Sequence, residues 1–254
     1  MSQTTPTNTG PLTVVLVHGA FADASSWTGV IERLQASGVQ VTAPANPLRG
    51  LASDSAYLAS FLNQIGGPVL AVGHSYAGAV ITIAATQASN VVGLVYVAAF
   101  APEEGERLGE VESTSKDSIL SSAQVALHYP TGQGAQTAVE FAVNPAHFQE
   151  AFAADLPAEQ AAVMAATQRP VAEGAFSEPS GVPAWKTLPS WAVVATGDKA
   201  AGSDVIRSMA KRAGATITEV EGSHVIMISQ PQVVTDVILA AVAAVSETGG
   251  RPHL

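Results

Sequence analysis

Three side chains suffice to make a hydroxyl nucleophilic at neutral pH. They are a serine, a histidine that takes its proton, and a carboxylate that orients the histidine and stabilises its charged form. Ser75 lies in Gly73-His74-Ser75-Tyr76-Ala77-Gly78, between an apolar strand-like run and an apolar helix-forming segment. A tight strand-to-helix turn there would push the Ser75 hydroxyl out at the carboxyl edge of a sheet. Such a turn crowds the backbone, so the residues two before and two after the serine must be small. Gly73 meets this requirement, Ala77 replaces the more usual glycine, and Gly78 adds room. The helix that follows would aim amide N–H groups and the positive end of its dipole at the site. With 22 glycines in the chain the small-residue pattern also arises by chance, so the strand-turn-helix setting carries the weight.

Six histidines could supply the base. His253 lies in the tail, and His128 and His147 lie in a long middle segment of different character. His74 adjoins the serine, its side chain expected to point away along the turn. His18 ends the first strand and would brace a loop. His224 is left, between the last strand and the last helix, where the chain order Ser, then Asp or Glu, then His puts the base. Asp198 follows the penultimate strand at the same edge and is the first choice for the orienting acid. Asp204 reads as a helix cap, and Glu103 and Glu104, after the fourth strand, are outside alternatives. Attack by Ser75 on a carbonyl would need N–H donors for the oxyanion. Tyr76 N–H, at the helix start, is one. Ala20 N–H, in the loop His18-Gly19-Ala20-Phe21, is the preferred second, because Gly19 lets that backbone come close.

The elements that must position these groups alternate through the first hundred residues. Strands are expected at residues 12–17, 39–43, 68–73 and 91–98, with helices at 27–37, 53–65 and 77–88 between them. Strand runs this uniformly apolar belong to a parallel sheet covered by helices on both faces. Alternation stops at residues 101–187, a stretch rich in Ala, Gln, Glu, Gly and Pro with twelve acidic residues against four basic ones. It reads as a helical cap or lid, because Phe141, Phe148, Phe152, Leu156, Met164 and Phe176 need something to pack against. Strands at 191–196 and 215–220, a helix at 204–213 and a last helix from about Pro231 complete the pattern. The expected division is a flexible segment 1–11, an α/β core at 12–100 and 188–246, the cap at 101–187, and a flexible tail at 247–254.

Composition narrows the function. A net charge of −10 with no basic cluster excludes a nucleic-acid surface and an anionic-lipid patch. The chain has no cysteine, so thiolate catalysis, disulfides and cysteine zinc sites are excluded. No apolar run reaches bilayer length, and the polar start lacks the marks of a signal peptide. A cytoplasmic protein is the expectation.

With these pieces placed, the sequence resembles the α/β-hydrolase superfamily along nearly its whole length. Val17-His18-Gly19-Ala20-Phe21 with Ser25-Ser26-Trp27, Gly73-His74-Ser75, Thr196-Gly197-Asp198-Lys199, and Gly222-Ser223-His224 with Ser229-Gln230-Pro231 are similar to the landmarks of one esterase group. That group includes plant methyl-salicylate-type esterases and hydroxynitrile lyases. The resemblance implies an eight-stranded-type sheet trimmed at its start and a small helical cap shaping the pocket. Lyases of the group carry a threonine in the opening loop and a lysine after the catalytic histidine, and this chain has Gly19 and Val225 there. Valine cannot support departing cyanide by charge, so ester hydrolysis is favoured. The expectation is therefore a carboxylesterase acting through an acyl-enzyme on small to medium neutral apolar esters, with no cofactor and no metal. Cofactor-free perhydrolase or haloperoxidase-like activity could use the same triad. A non-hydrolytic protein that binds a small ligand on this fold is the alternative from another class.

Overall fold

The computed structural model describes residues 10–249. The strands, in chain order, are β1 (Thr13–Val17), β2 (Gln40–Thr42), β3 (Val69–His74), β4 (Val91–Val97), β5 (Gln124–Pro130), β6 (Thr137–Val143), β7 (Val171–Ala172), β8 (Ser190–Ala195) and β9 (Thr216–Val220). Six of them form one sheet in the order β2-β1-β3-β4-β8-β9, and every neighbouring pair is parallel. Six strands, not eight, thus make up the parallel sheet among the described residues. The β-branched runs that build β1, β3, β4 and β8 are buried almost throughout, as strands covered on both faces must be. β2 and β9 lie at the edges, and their residues are half-buried or exposed.

The helices are α1 (Thr28–Ala36), α2 (Leu51–Leu62), α3 (Tyr76–Ala84), α4 (Leu108–Ser113), α5 (Leu120–Ala123), α6 (Pro145–Phe152), α7 (Ala158–Thr167), α8 (Gly174–Ser177), α9 (Ser203–Arg212), α10 (Ile226–Ser229) and α11 (Pro231–Gly249). α1 packs on α11 and α2 on α3, and these pairs cover the sheet. From β1 the chain goes to the edge at β2 and returns on the other side of β1 as β3. Strand order therefore reverses between β1 and β3, and a crevice opens outside their carboxyl ends. The loops after β1 and β3 face each other across it.

The segment 101–187 differs from the helical expectation by containing strands. β5 and β6 pair antiparallel from Gln124↔Val143 to Pro130↔Thr137, and β6 also pairs with β7. Val125, Leu127 and Tyr129 alternate along β5, as do Val139, Phe141 and Val143 along β6. This period-two signal is masked by the Ala, Gln and Gly around it. The end of the chain differs too. α11 runs on to Gly249, so residues 247–249 continue the helix. The rest of the expected loose tail, residues 250–254, and residues 1–9 of the expected loose start lie outside the described residues. No helix among the described residues is long and apolar enough to cross a membrane.

Leu94 on β4 is fully buried, between strands β3 and β8. Leu94→Ala should therefore lower unfolding free energy by about 2–5 kcal/mol, from lost burial plus the cavity left behind. Urea unfolding at neutral pH checks this, and a loss below about 1 kcal/mol would mean that this layer of the core is loosely packed.

Candidate active site

Ser75 sits between β3 and α3 with φ 54° and ψ −124°, a left-handed conformation that side chains rarely adopt. Its backbone is gripped on three sides. Ser75 N–H donates to Val97 O at 3.3 Å, and Ser75 O accepts from Gly78 N–H at 3.0 Å and from Phe100 N–H at 3.2 Å. The turn is so tight that a Cβ at Gly73 would lie 2.7 Å from Ala77 O. That is the steric reason for glycine two residues before the serine, whereas Ala77 is accommodated fully buried. The non-glycine residues with positive φ are Phe21, Leu48, Ser75 and Ala98 among the described residues. They lie in the segments that leave β1, β2, β3 and β4, so the backbone strain is concentrated on the crevice edge.

Asp198 follows β8, and His224 lies between β9 and α10. Both are 1% exposed, and His224 Nδ1 meets Asp198 Oδ2 at 2.8 Å. The other carboxylate oxygen accepts from Ala200 N–H at 2.9 Å and Ala201 N–H at 3.0 Å. With a carboxylate as its partner, Nδ1 carries the proton and Nε2 keeps its lone pair free. Ser75 Oγ makes no hydrogen bond among the described residues, to His224 or to any other group. Tyr76 opens α3, where no intrahelical acceptor reaches its N–H. Ala20 N–H likewise has no partner among the described residues, whereas Phe21 N–H next to it donates to Arg169 O at 3.2 Å. A Cβ at Gly19 would lie 2.8 Å from both His74 O and Ser75 Cβ, so the opening loop runs in contact with the serine turn only because residue 19 is glycine.

The remaining candidates stand elsewhere. Asp204 accepts from Ser115 Oγ and Lys116 N–H, tying α9 to the cap. Glu103 pairs with Lys186. His128 and His147 are exposed on β5 and α6. His253 lies outside the described residues. His18 braces the opening loop, as expected. Its Nε2 accepts from Asn46 N–H at 2.9 Å, and Nδ1–H donates to Gly19 O at 2.9 Å.

His74 departs from the expectation that it points away. Its Nε2–H donates to His224 O at 2.9 Å, and the two rings lie 4.6 Å apart. It thus supports the His224 loop from behind, and only a partner 150 residues away in sequence could have shown that. The Phe152 ring, from the cap, closes over His224 at 4.9 Å and meets Phe21 edge-on at 6.0 Å. Asp155, three residues on, accepts from Ser223 N–H at 2.9 Å and from the Ser223 hydroxyl. It fastens the residue before His224 to the cap.

A cavity of about 340 Å³ lies between the opening loop and α7, lined by Phe21, Ser25, Met164, Thr167 and Ile228 among others. Another, of about 540 Å³, lies within the cap beside Phe141 and Phe176. Neither is lined by Ser75 or His224.

Residues 14–237 match the alpha/beta hydrolase family. The chain belongs to that family. Its fold is that of polyneuridine aldehyde esterase, with a TM-score of 0.76 and 19% identity over 91% of this chain and 99% of that one. Tomato methylketone synthase I complexed with 2-tridecanone superimposes with a TM-score of 0.73 at 20% identity, over 92% of this chain and 99% of that one. An extracellular alpha/beta-hydrolase from a Paenibacillus species gives 0.73 and 20%, over 91% and 99%. No curated protein matches the sequence significantly.

In this hydrolase His18 and His74, the two buried histidines outside the Asp198 pair among the described residues, are built to stay neutral. Burial, foremost, lowers the pKa of His18 below the ordinary 6.5 and that of His74 well below it. Folded-state values below the unfolded one mean that the unfolded chain takes up protons first as pH falls. Stability from these two groups is therefore complete above about pH 6.5 and declines below it, by up to about 1.4 kcal/mol per pH unit for each. The urea midpoint should fall steadily from pH 7 to pH 5. A flat profile would show that the rings are protonated without cost.

Proposed function

We propose that the chain is a serine hydrolase that cleaves carboxylic esters through an acyl-enzyme. Ser75 attacks the ester carbonyl, and His224 Nε2 takes the Ser75 proton and passes it to the leaving alcohol. Asp198 holds the imidazole in the required tautomer and stabilises its charged form. Ala20 and Tyr76 N–H groups receive the oxyanion. Water, deprotonated in turn by His224, releases the acid and restores Ser75. The supporting observation is the buried Asp198–His224 bond on the same crevice edge as a serine in strained, three-way-held backbone. The serine and imidazole would join when substrate closes the site, as apo hydrogen bonds of this kind commonly tighten in the complex.

Aromatic side chains support a neutral apolar ester of small to medium size. Phe152 covers His224 and Phe21 follows Ala20, so acyl or alcohol carbons would meet rings on two sides. Val225, fully buried after His224, supplies no charge for a departing cyanide. A threonine in place of Gly19 would collide with His74 and Ser75 backbone and side chain. Both features favour hydrolysis over cyanohydrin cleavage. An esterase among the structures that share this fold agrees with the reading.

The test is hydrolysis of p-nitrophenyl esters from acetate to decanoate by wild type and Ser75→Ala. We expect turnover by the wild type, a chain-length optimum that sizes the pocket, and a loss of roughly ten-thousandfold or more in kcat for Ser75→Ala. Full activity in Ser75→Ala would overturn the assignment of the whole site. An inert wild type would remove general ester hydrolysis and bring a binding role forward.

A further inference from the structure

Asp54 is a fully buried carboxylate on α2 that the mechanism above leaves unused. Its partners identify what it holds. Tyr76 Oη donates to Asp54 Oδ2 at 2.8 Å, and Arg49 N–H donates to the same carboxylate at 3.1 Å. Tyr76 is itself fully buried, and its ring lies 6.0 Å from that of Phe176 of the cap. The side chain of the residue directly after Ser75 is therefore gripped at its tip by a charge and on its face by an aromatic ring. Burial raises the pKa of Asp54, opposed by the Arg49 N–H and Tyr76 hydroxyl bonds. Burial, and next the Asp54 charge, raise that of Tyr76 well above 10. The phenol thus remains the donor.

A carboxylate in the interior is costly unless it is fully hydrogen-bonded, and an apolar residue would fill the same space without that cost. What the carboxylate adds is a directional hold on Tyr76. The oxyanion donor is that residue's own N–H, and an oxyanion hole works by donors aimed in advance at where charge develops. We propose that Asp54 is a positioning residue for ester hydrolysis, anchoring the Tyr76 phenol so that Tyr76 N–H and Ser75 keep the geometry the oxyanion needs. The inference rests on the serine-hydrolase reading above.

The anchor also connects outward. Arg49, whose N–H caps Asp54, pairs through its guanidinium with Glu140 of β6 at 2.8 Å and donates to Pro170 O. Ala52 N–H, at the start of α2, donates to Glu178 Oε2 at 2.8 Å. Cap and oxyanion donor are therefore both fastened to the first turn of α2.

Tyr76→Phe deletes one end of the anchor and keeps the ring, and Asp54→Asn keeps the shape of the other end while removing its charge. Removing an oxyanion donor outright costs about 10²–10³ in kcat, and tilting one should cost about tenfold. Each single variant should thus lose about tenfold in kcat with KM within about twofold of wild type. A boronic acid, whose serine adduct presents an oxyanion, should bind more weakly by a similar factor. The double variant should be no worse than the poorer single one, because both changes cut the same tie. Should Asp54→Asn fail to fold, Tyr76→Phe alone carries the test through kcat and boronate affinity. An active wild type whose Tyr76→Phe form keeps full kcat and boronate affinity overturns the positioning role and leaves the hydrolase reading standing. Losses that multiply in the double variant overturn it as well. A wild type that neither turns over esters nor binds the boronate overturns both.

Discussion

Ser75 at φ 54° and ψ −124° carries a conformational cost on the order of 1–3 kcal/mol that its own residue cannot recover. The surroundings must over-determine it, and much of the architecture can be understood as doing so. β3 and β4 are neighbours in register from Leu70↔Gly93 to His74↔Val97, which brings Val97 O to Ser75 N–H. Beyond β4 the chain takes its own positive φ at Ala98, so that Phe100 N–H reaches back to Ser75 O. Gly73 leaves the space into which Ala77 O is pressed. Together these contacts over-determine a backbone conformation that Ser75 would not hold unaided. The position of the crevice, between β1 and β3, follows from the reversal of strand order and needs no further explanation.

Around this turn the loops of the edge are held from behind by groups that stay out of the crevice. Asp198 secures His224, with its second oxygen tied down by two backbone N–H groups. His74 secures the carbonyl of His224, and Asp155 secures Ser223 beside it. His18 and Asn46 fix the opening loop, with Asn46 Nδ2 returning a bond to His18 O at 3.0 Å. Each loop is short, strained or both, and none has an apolar core of its own. Directional bonds to buried partners are what remains available to fix such segments, because a satisfied buried polar group cannot move without losing its partner.

The sheet was legible because its signal is local. Apolar β-branched runs ended by Gly, Pro or Asp announce strands without reference to anything distant. Ser75, Asp198 and His224 each follow a strand end closely, so their placement at the carboxyl edge of one parallel sheet could be argued from chain order alone. The opening loop was legible for the same reason, since His18-Gly19 directly follows the end of β1. Asp54, Asp155 and the direction of His74 were not legible. Asp155 lies 68 residues from Ser223 and His74 lies 150 from His224, and no local pattern distinguishes them from surface acids or a spare histidine. The strands of the cap failed for another reason. Their alternation is real, but the positions between the apolar ones include Ala126 and Pro130 on β5 and Ala138, Glu140 and Ala142 on β6, residue types depleted in strands.

The cap keeps most of the negative charge, and its basic partners in the core line its rim. Arg49 pairs with Glu140, Arg212 with Glu106, and Lys199 approaches Glu150 at 3.9 Å. All three cations are more than a third exposed, so each pair contributes only about 0–1 kcal/mol. Phe148 and Phe152 are 1% exposed, and burying a side chain of that kind contributes roughly 1.5–3 kcal/mol. The cap therefore adheres through its aromatic centre and is oriented by its charged rim. That centre is also the wall over His224. A cap held this way could not lift without uncovering the imidazole, nor lose its aromatic contacts without loosening the loop that Asp155 ties to it. Cover over the imidazole and order in the histidine loop thus both depend on the packing of this cap segment.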